Sequence, residues 1–348
     1  MKRIFNLSYC DIIFISNLYE YLRSLRSIHL SMPKFLKMPF THLFILAGIS
    51  ILIGCVETTL VQEEVVQTTT MSPTSYIPIL LQNLDEELEE SSGLAYFEGN
   101  VWTINDSGNE NIVYQVNLQT GKPERKVRIT NAENIDWESL SQSDTHLYIG
   151  DFGNNAGDRT DLVILKISKE DLLTKTAVTA EKIFFSYPQQ GNFDERMNSH
   201  NFDCEASFYY DGVLHLFTKN WENNQTDYYT LGITPGTTRA THHGSFDTEG
   251  LITGADINTS TGTIVLIGYE NKGIFSQSFL WLLSNYPAEN PFGGIASKIM
   301  LGSPANLGQT EAIFIKADNS GLISSEAIIS DDFYVTGKIF SFDLNSYF

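Results

Sequence analysis

The sequence predicts an all-β domain, a ring of repeated four-stranded sheets, and three observations predict it. From Tyr76 on, short runs of β-branched and aromatic residues alternate with Gly, Asn, Asp and Ser clusters, the texture of many short antiparallel strands. Helical periodicity is nearly absent, and only Ser168 to Leu173 (SKEDLL) suits a single turn. One unit also recurs: an acidic or small polar entry, a short strand, a turn and an apolar strand. Such self-similarity marks a repeat architecture, here a β-propeller.

The first unit runs from Glu90 through Tyr96 to Val101–Asp106. The second pairs Asp136–Leu140 with Leu147–Asp151, and the third Asp203–Phe208 with Leu214–Asn220. A degenerate fourth pairs Ile252–Ile257 with Ile264–Glu270, and a fifth Gln309–Phe314 with Leu322–Glu326. Matched positions Ser92, Glu138, Glu205, Gly254 and Glu311 are spaced 46, 67, 49 and 57 residues apart, about one blade each. Third strands follow, as in Ile112–Val116 and Leu162–Ile167, then fourth strands such as Lys126–Ile129 and Lys182–Phe185. The fifth unit lacks a fourth strand, and Ile77–Leu81 is expected to supply it, closing the ring from the N-terminus. Five blades are expected, with six as the alternative, since the 67-residue interval has room for a partial one. Two tandem β-sandwiches would leave the recurring acidic entry unexplained.

Ahead of this domain, residues 76–348, lie segments of other character. Phe40 to Ile53 is a 14-residue apolar run, too short for a spanning helix of roughly 20 residues and suited to a signal-peptide core. A short anchor or a buried helix is the alternative. The run ends in Leu52-Ile53-Gly54-Cys55, which resembles the lipobox of bacterial lipoproteins and so implies cleavage after Gly54 and lipidation of Cys55. Residues 32–54 would be the signal peptide, with Met32 (or Met38) the true start and residues 1–31 a spurious upstream extension. Residues 55–75, rich in Thr, Gln and Glu, read as a flexible tether. The expected location is the bacterial cell envelope, at the outer membrane or cell surface, held by the lipid alone. Cys204 is the lone cysteine of the folded part, so no disulfide forms within the chain, and a monomer is expected.

Net charge is −20 overall. Six of 22 basic and two of 42 acidic residues lie in 1–54, leaving 16 against 40 and a net of −24 beyond. A surface this acidic repels phosphate backbones and excludes nucleic acid as a partner. It suits divalent cations, basic ligands or simple solubility.

In a propeller the entry strands line a central channel. Glu138, Glu205 and Glu311, with Ser92 and Gly254, are therefore expected to ring one mouth, with Asp136 and Asp203 close by. The second-strand ends Asp106, Asp151, Asn220, Glu270 and Glu326 should gather just outside. Converging carboxylates repel unless neutralised, and a hard cation with oxygen ligands, calcium first, is the natural partner. Hydrogen bonds from neighbouring backbone amides are the alternative. The turn-rich loop Gly150–Arg159 and its counterpart Asn105–Asn109 offer oxygen ligands, with Arg159 as an anion clamp, or else are Asx-turns. Neither is an EF-hand, because the sixth and twelfth positions from Asp151 are Ala156 and Leu162. His200, His242 and His243 are the histidines most open to catalysis, and His200 could hang over the mouth as a base. His215 is expected to pack in a blade. HExxH, GxSxG, P-loop and GxGxxG motifs are absent.

The run SSGLAY…VWTINDSG…IVYQVN, then IDWESL…LYIGDFGNNAGDR, resembles a family of bacterial secreted and lipoprotein β-propellers. These are loosely akin to TolB-like, gluconolactonase-type and phytase-like-esterase propellers. The resemblance covers 90–345 and is sharp over 90–167. It implies a divalent ion on the axis and hydrolysis of lactones or phosphoesters, and calcium-dependent apyrases are similar in having five blades. Gly254, where an acid would be wanted, departs from that pattern. Two readings follow. One is an envelope lipoprotein binding a divalent cation and a small ligand, and as an enzyme it would be a metal-assisted hydrolase with Glu138, Glu205, Glu311, Asp203 and Asp151 as ligands, His200 or Asp136 as base and Arg159 as clamp. The other is a non-catalytic module for a protein or glycan partner.

Overall fold

In the computed structural model the chain divides into two units, Met1–Glu64 and Val65–Phe348, and the structure describes residues 68–330 and 333–348. The proposed leader, Cys55 and the first part of the tether lie outside the described residues. Among the described residues no helix is long and apolar enough to cross a membrane.

Five sheets form a ring, a five-bladed β-propeller. Blade 1 comprises Ser91–Phe97, Asn100–Asn105, Ile112–Asn117 and Lys122–Ile129 from the axis outward. Blade 2 comprises Trp137–Gln142, His146–Asp151, Val163–Ser168 and Glu181–Ser186, and blade 3 Cys204–Tyr210, Val213–Thr218, Gln225–Gly232 and Thr241–Asp247. Blade 4 comprises Leu251–Asn258, Thr263–Tyr269, Ser278–Ser284 and Ile295–Gly302. In blade 5, Gln309–Ile315, Ser320–Glu326 and Lys338–Asp343 are completed by Ile79–Asn83, which pairs antiparallel through Leu80 and Phe340. The N-terminal strand thus closes the last blade, two residues later than the apolar run itself begins. The 67-residue interval holds no sixth blade. It is taken up by the short helix Lys169–Thr174, capped by Ser168, and the strandless stretch 187–203.

Inner strands are apolar on both faces because each is sandwiched between neighbours. The described core divides into five clusters, one at each junction between blades. Along His146–Asp151, Leu147 and Ile149 pack against Trp102 and Trp137, while Tyr148 faces the other way to Phe185 and Leu216. The fifth cluster, with Leu94, Val101, Phe314 and Leu322, joins blade 5 to blade 1. Outer strands alternate instead, as in Lys122–Ile129, because only one face is covered.

Two expectations are corrected. Thr69–Ser75, expected within the tether, is a strand running parallel to the outer strand of blade 4, in register from Thr69 with Ile295. Its side chains are all exposed, so composition resembled a tether while backbone pairing on a free sheet edge made it a strand. Ala177–Val178 and Gly236–Arg239 extend blades 1 and 2 in the same parallel manner. The axis is also no open channel, since the cavity among the inner strands of blades 1, 2, 4 and 5 holds only about 10 Å³. A Cβ on Gly93 would lie 2.7 Å from the Leu140 amide nitrogen, so the strands approach too closely for a bore.

Candidate functional site

Each inner strand carries a register shift at the same point in its blade. The shifts fall between Ser91 and Gly93, Trp137 and Ser139, Cys204 and Ala206, Ile252 and Gly254, and Thr310 and Ala312. The bulged residues are Ser92, Glu138, Glu205, Thr253 and Glu311, all buried. A bulge re-aims one side chain, and five of them build a ring of three carboxyls and two hydroxyls at one mouth. Thr253, not Gly254, is therefore the fourth member. Gly254 occupies the next position, where a Cβ would meet the Glu311 carbonyl oxygen at 2.6 Å. The hydroxyls seal the ring: Ser92 donates to Trp137 O at 2.6 Å and Thr253 to Thr310 O at 2.7 Å.

Much of the acidity here is answered by the protein itself. Lys219, at the end of the second strand of blade 3, is buried and places Nζ 2.9 Å from Glu205 Oε1. Burial works against the ammonium, but Glu205 and the acids around it hold its pKa well above the usual lysine range. Its Nζ also lies 4.9 Å from the Trp221 ring centre. Glu311 accepts from Gln309 Nε2 at 2.6 Å. Asp203 accepts from the Asn154 amide at 2.6 Å and from Trp221 Nε1 at 2.8 Å. Asp151 accepts from Arg159 at 3.0 Å and from the Asp136 amide at 3.2 Å. Glu205, Glu311, Asp203 and Asp151, expected as metal ligands, are thus engaged with protein donors.

Arg159 and His200 are not free for the expected roles. The Arg159 guanidinium donates to Asp151, Asp161 and the Gly153 carbonyl, pinning the loop Gly150–Arg159 rather than awaiting an anion. His200 is 1% exposed, accepts at Nδ1 from the Phe202 amide and places Nε2 3.1 Å from Asn155 O, so neither nitrogen is available as a base. It lines a side cavity of about 230 Å³ with Arg196, Tyr229 and His242, rather than the mouth. His242 pairs with Asp227 at 3.0 Å and His243 with Thr230 at 2.8 Å. His215 packs within blade 3 between Phe208 and Tyr228, and burial lowers its pKa to about 4.

Three carboxylates remain together: Asp106, Asp136 and Glu138 each offer an oxygen, and all three lie within 4.8 Å of one another. Blade 1 positions Asp106, whose amide donates to Glu90 O and whose carbonyl accepts from Asn134 Nδ2. Blade 2 supplies the other two, and the Asp136 carbonyl accepts from the Phe152 and Gly153 amides. Gly153 is required there, because a Cβ would fall 2.4 Å from Asp136 Oδ2 and 2.6 Å from Glu138 Oε1. Glu138 is 4% exposed and has no hydrogen-bond donor among the described residues. Burial, then the charges of Glu205, Asp106 and Asp136, push its carboxyl pKa well above the usual range. Burial and then Asp106 raise Asp136 to about 7. An all-oxygen triad of this spacing could hold a metal ion. Asp106, expected just outside the ring, is one of its three members. Asp151, Asn220, Glu270 and Glu326 are not in it.

No family model and no curated protein matches the chain. Among solved structures, a Bombyx mori beta-fructofuranosidase with sucrose is 10% identical over 78% of this chain and 63% of that one, at a TM-score of 0.42. A Bacteroides fragilis protein assigned as exported is 10% identical, covering 80% of this chain and 99% of that one, at 0.36. A Bacteroides uniformis protein assigned as a 6-phosphogluconolactonase is 10% identical, covering 71% and 70%, at 0.35.

Proposed function

We propose that the chain is an exported bacterial envelope lipoprotein, acylated at Cys55, whose propeller holds a divalent cation on Asp106, Asp136 and Glu138 and presents a small ligand to it. Calcium is the cation the donor set favours, because the ligands are carboxylate oxygens with no nitrogen or sulfur among them. The observation that carries the reading is Glu138, a buried carboxylate that meets two further carboxylates and no protein donor. Burying such a group without a partner costs several kcal/mol, which a bound cation offsets.

A bound cation would supply a positive charge able to polarise a carbonyl or phosphoryl oxygen, which suits hydrolysis of an ester, lactone or phosphoester. The base would then come from the ring acids. Glu311, raised to about 7 by burial and oriented by Gln309, is suited to carry a proton near neutral pH. The second reading, a non-catalytic module for a protein or glycan partner, draws on the engagement of His200 and Arg159.

Calcium added to the chelator-treated full chain is expected to raise the melting temperature by several degrees. The rise should vanish in Asp136→Asn with Glu138→Gln. No calcium-dependent shift in the wild type would overturn the cation reading. If calcium binds but a panel of lactones and phosphoesters is untouched, the non-catalytic reading stands. Incorporation of labelled palmitate, lost in Cys55→Ser, tests the anchor separately.

A further inference from the structure

The opposite mouth of the propeller opens into a funnel of about 810 Å³, formed by the far ends of the inner strands and the hairpins that follow them. All five blades contribute to its wall. Tyr96 of blade 1 stacks on Phe314 of blade 5, with ring centres 5.5 Å apart. Tyr148 of blade 2 stacks on Tyr209 of blade 3 at 5.6 Å and 10°. Tyr210 adds a fourth phenol, 38% exposed.

Three lysines line the same space. Lys166 pairs with Glu181 at 3.0 Å. Lys169 instead donates to Gln142 Oε1 at 2.9 Å and lies 4.6 Å above the Phe97 ring, while Lys316 lies 5.0 Å above Tyr96. Neither Lys169 nor Lys316 has a carboxylate within salt-bridge distance among the described residues. That is notable in a chain with a net charge of −24 beyond residue 54, where acid partners abound. Burial also lowers the Lys169 pKa, a cost that a bound anion would relieve. The wall carries hydroxyl-seeking acceptors as well. Asp256 opens onto it while accepting from the Ile315 amide at 2.8 Å, and Asp144 and Asp211 sit at the rim.

Aromatic faces suit the C–H face of a sugar ring, unpaired ammonium groups suit a carboxylate, and carboxylate acceptors suit several hydroxyls. We propose that this funnel is a second binding site, for an acidic saccharide such as a uronate. Lys169 and Lys316 attract the carboxylate, Tyr96 and Tyr209 contact the ring, and the exposed rim carboxylates Asp144 and Asp211 accept from its hydroxyls. An axis narrowed to about 10 Å³ separates this site from the acidic mouth, so it is independent of the cation there.

Calorimetry on the full chain in chelator, with digalacturonate, cellobiose and benzoate as probes, tests this. Digalacturonate should bind at least tenfold more tightly than cellobiose and benzoate, and more weakly as salt rises. Lys316→Met and Lys169→Met should each weaken it about tenfold, and Glu138→Gln should leave it unchanged. Lys316 is exposed, so its variant should keep the wild-type melting temperature. Digalacturonate binding no tighter than cellobiose, benzoate binding equally well, or an unaltered affinity in Lys316→Met would each overturn the proposal.

Discussion

Burial raises the Asp136 carboxyl from 3.8 to about 7, and that shift has a direction in pH. A carboxyl that holds its proton more tightly when folded stabilises the native state below its unfolded pKa and loses that contribution as pH rises through its folded one. The chelated wild type should therefore lose stability, read as a falling melting temperature, between about pH 4 and pH 8. Asp136→Asn should flatten the profile, and so should saturating calcium, because the ion takes over the proton's role. A wild-type slope unchanged by both would refute this account. Lys219 offers the complementary test. Lys219→Met leaves Glu205 buried without its counter-charge and should cost about 3–5 kcal/mol in chemical denaturation, with much of it restored by adding Glu205→Gln. Lys219 stands in plain view in the apolar run Leu214–Asn220. Nothing linear says that its ammonium reaches Glu205 in the ring, fourteen residues back and on the neighbouring strand.

The inner strand with its bulge is the element that builds the ring. The recurring unit of polar entry, strand, turn and apolar strand located all five inner strands, but a bulge is a mismatch between two strands and leaves no mark in one of them. Matching the units by small residues therefore selected Gly254, one position past Thr253. The two positions differ in what surrounds them. Gly254→Ala should cost about 1–3 kcal/mol, because its Cβ would press on the blade 5 backbone. Gly232→Ala, with nothing within 4 Å of the added carbon, should change stability by no more than about 0.5 kcal/mol. Equal costs at the two glycines would mean that the inner strands are looser than described.

The whole molecule depends on closure. Ile79–Asn83 is the only strand of blade 5 that comes from the other end of the described chain, and Tyr76 packs edge-on against Tyr347 at 6.1 Å beside it. A chain starting at Leu84 should lose its single cooperative melting transition. Of the described residues, a chain starting at Tyr76 lacks only Thr68 and the fully exposed strand Thr69–Ser75, and it should retain that transition. Cooperative melting of the shorter chain would show that the ring does not need its N-terminal strand. Closure also separates two chemically different mouths, one rich in carboxylates and one walled by tyrosine and lysine.

By itself the sequence determined the architecture: all-β, five repeated units, a closing strand from the N-terminus and acids at the start of the inner strands. These were legible because strand period, turn chemistry and repetition are local properties of the chain. Only the tertiary structure decided which acids come together in the triad. Asp136 and Glu138 were among the candidates, but Asp106 joined them from the neighbouring blade, while Glu205, Asp203 and Asp151 were taken by Lys219, Trp221 and Arg159. The same holds for the funnel at the far mouth, whose wall is drawn from five segments distant in sequence. The physical reason is that a carboxylate's state depends on the charges and donors within a few ångströms of it. In a ring of blades those neighbours come from other repeats.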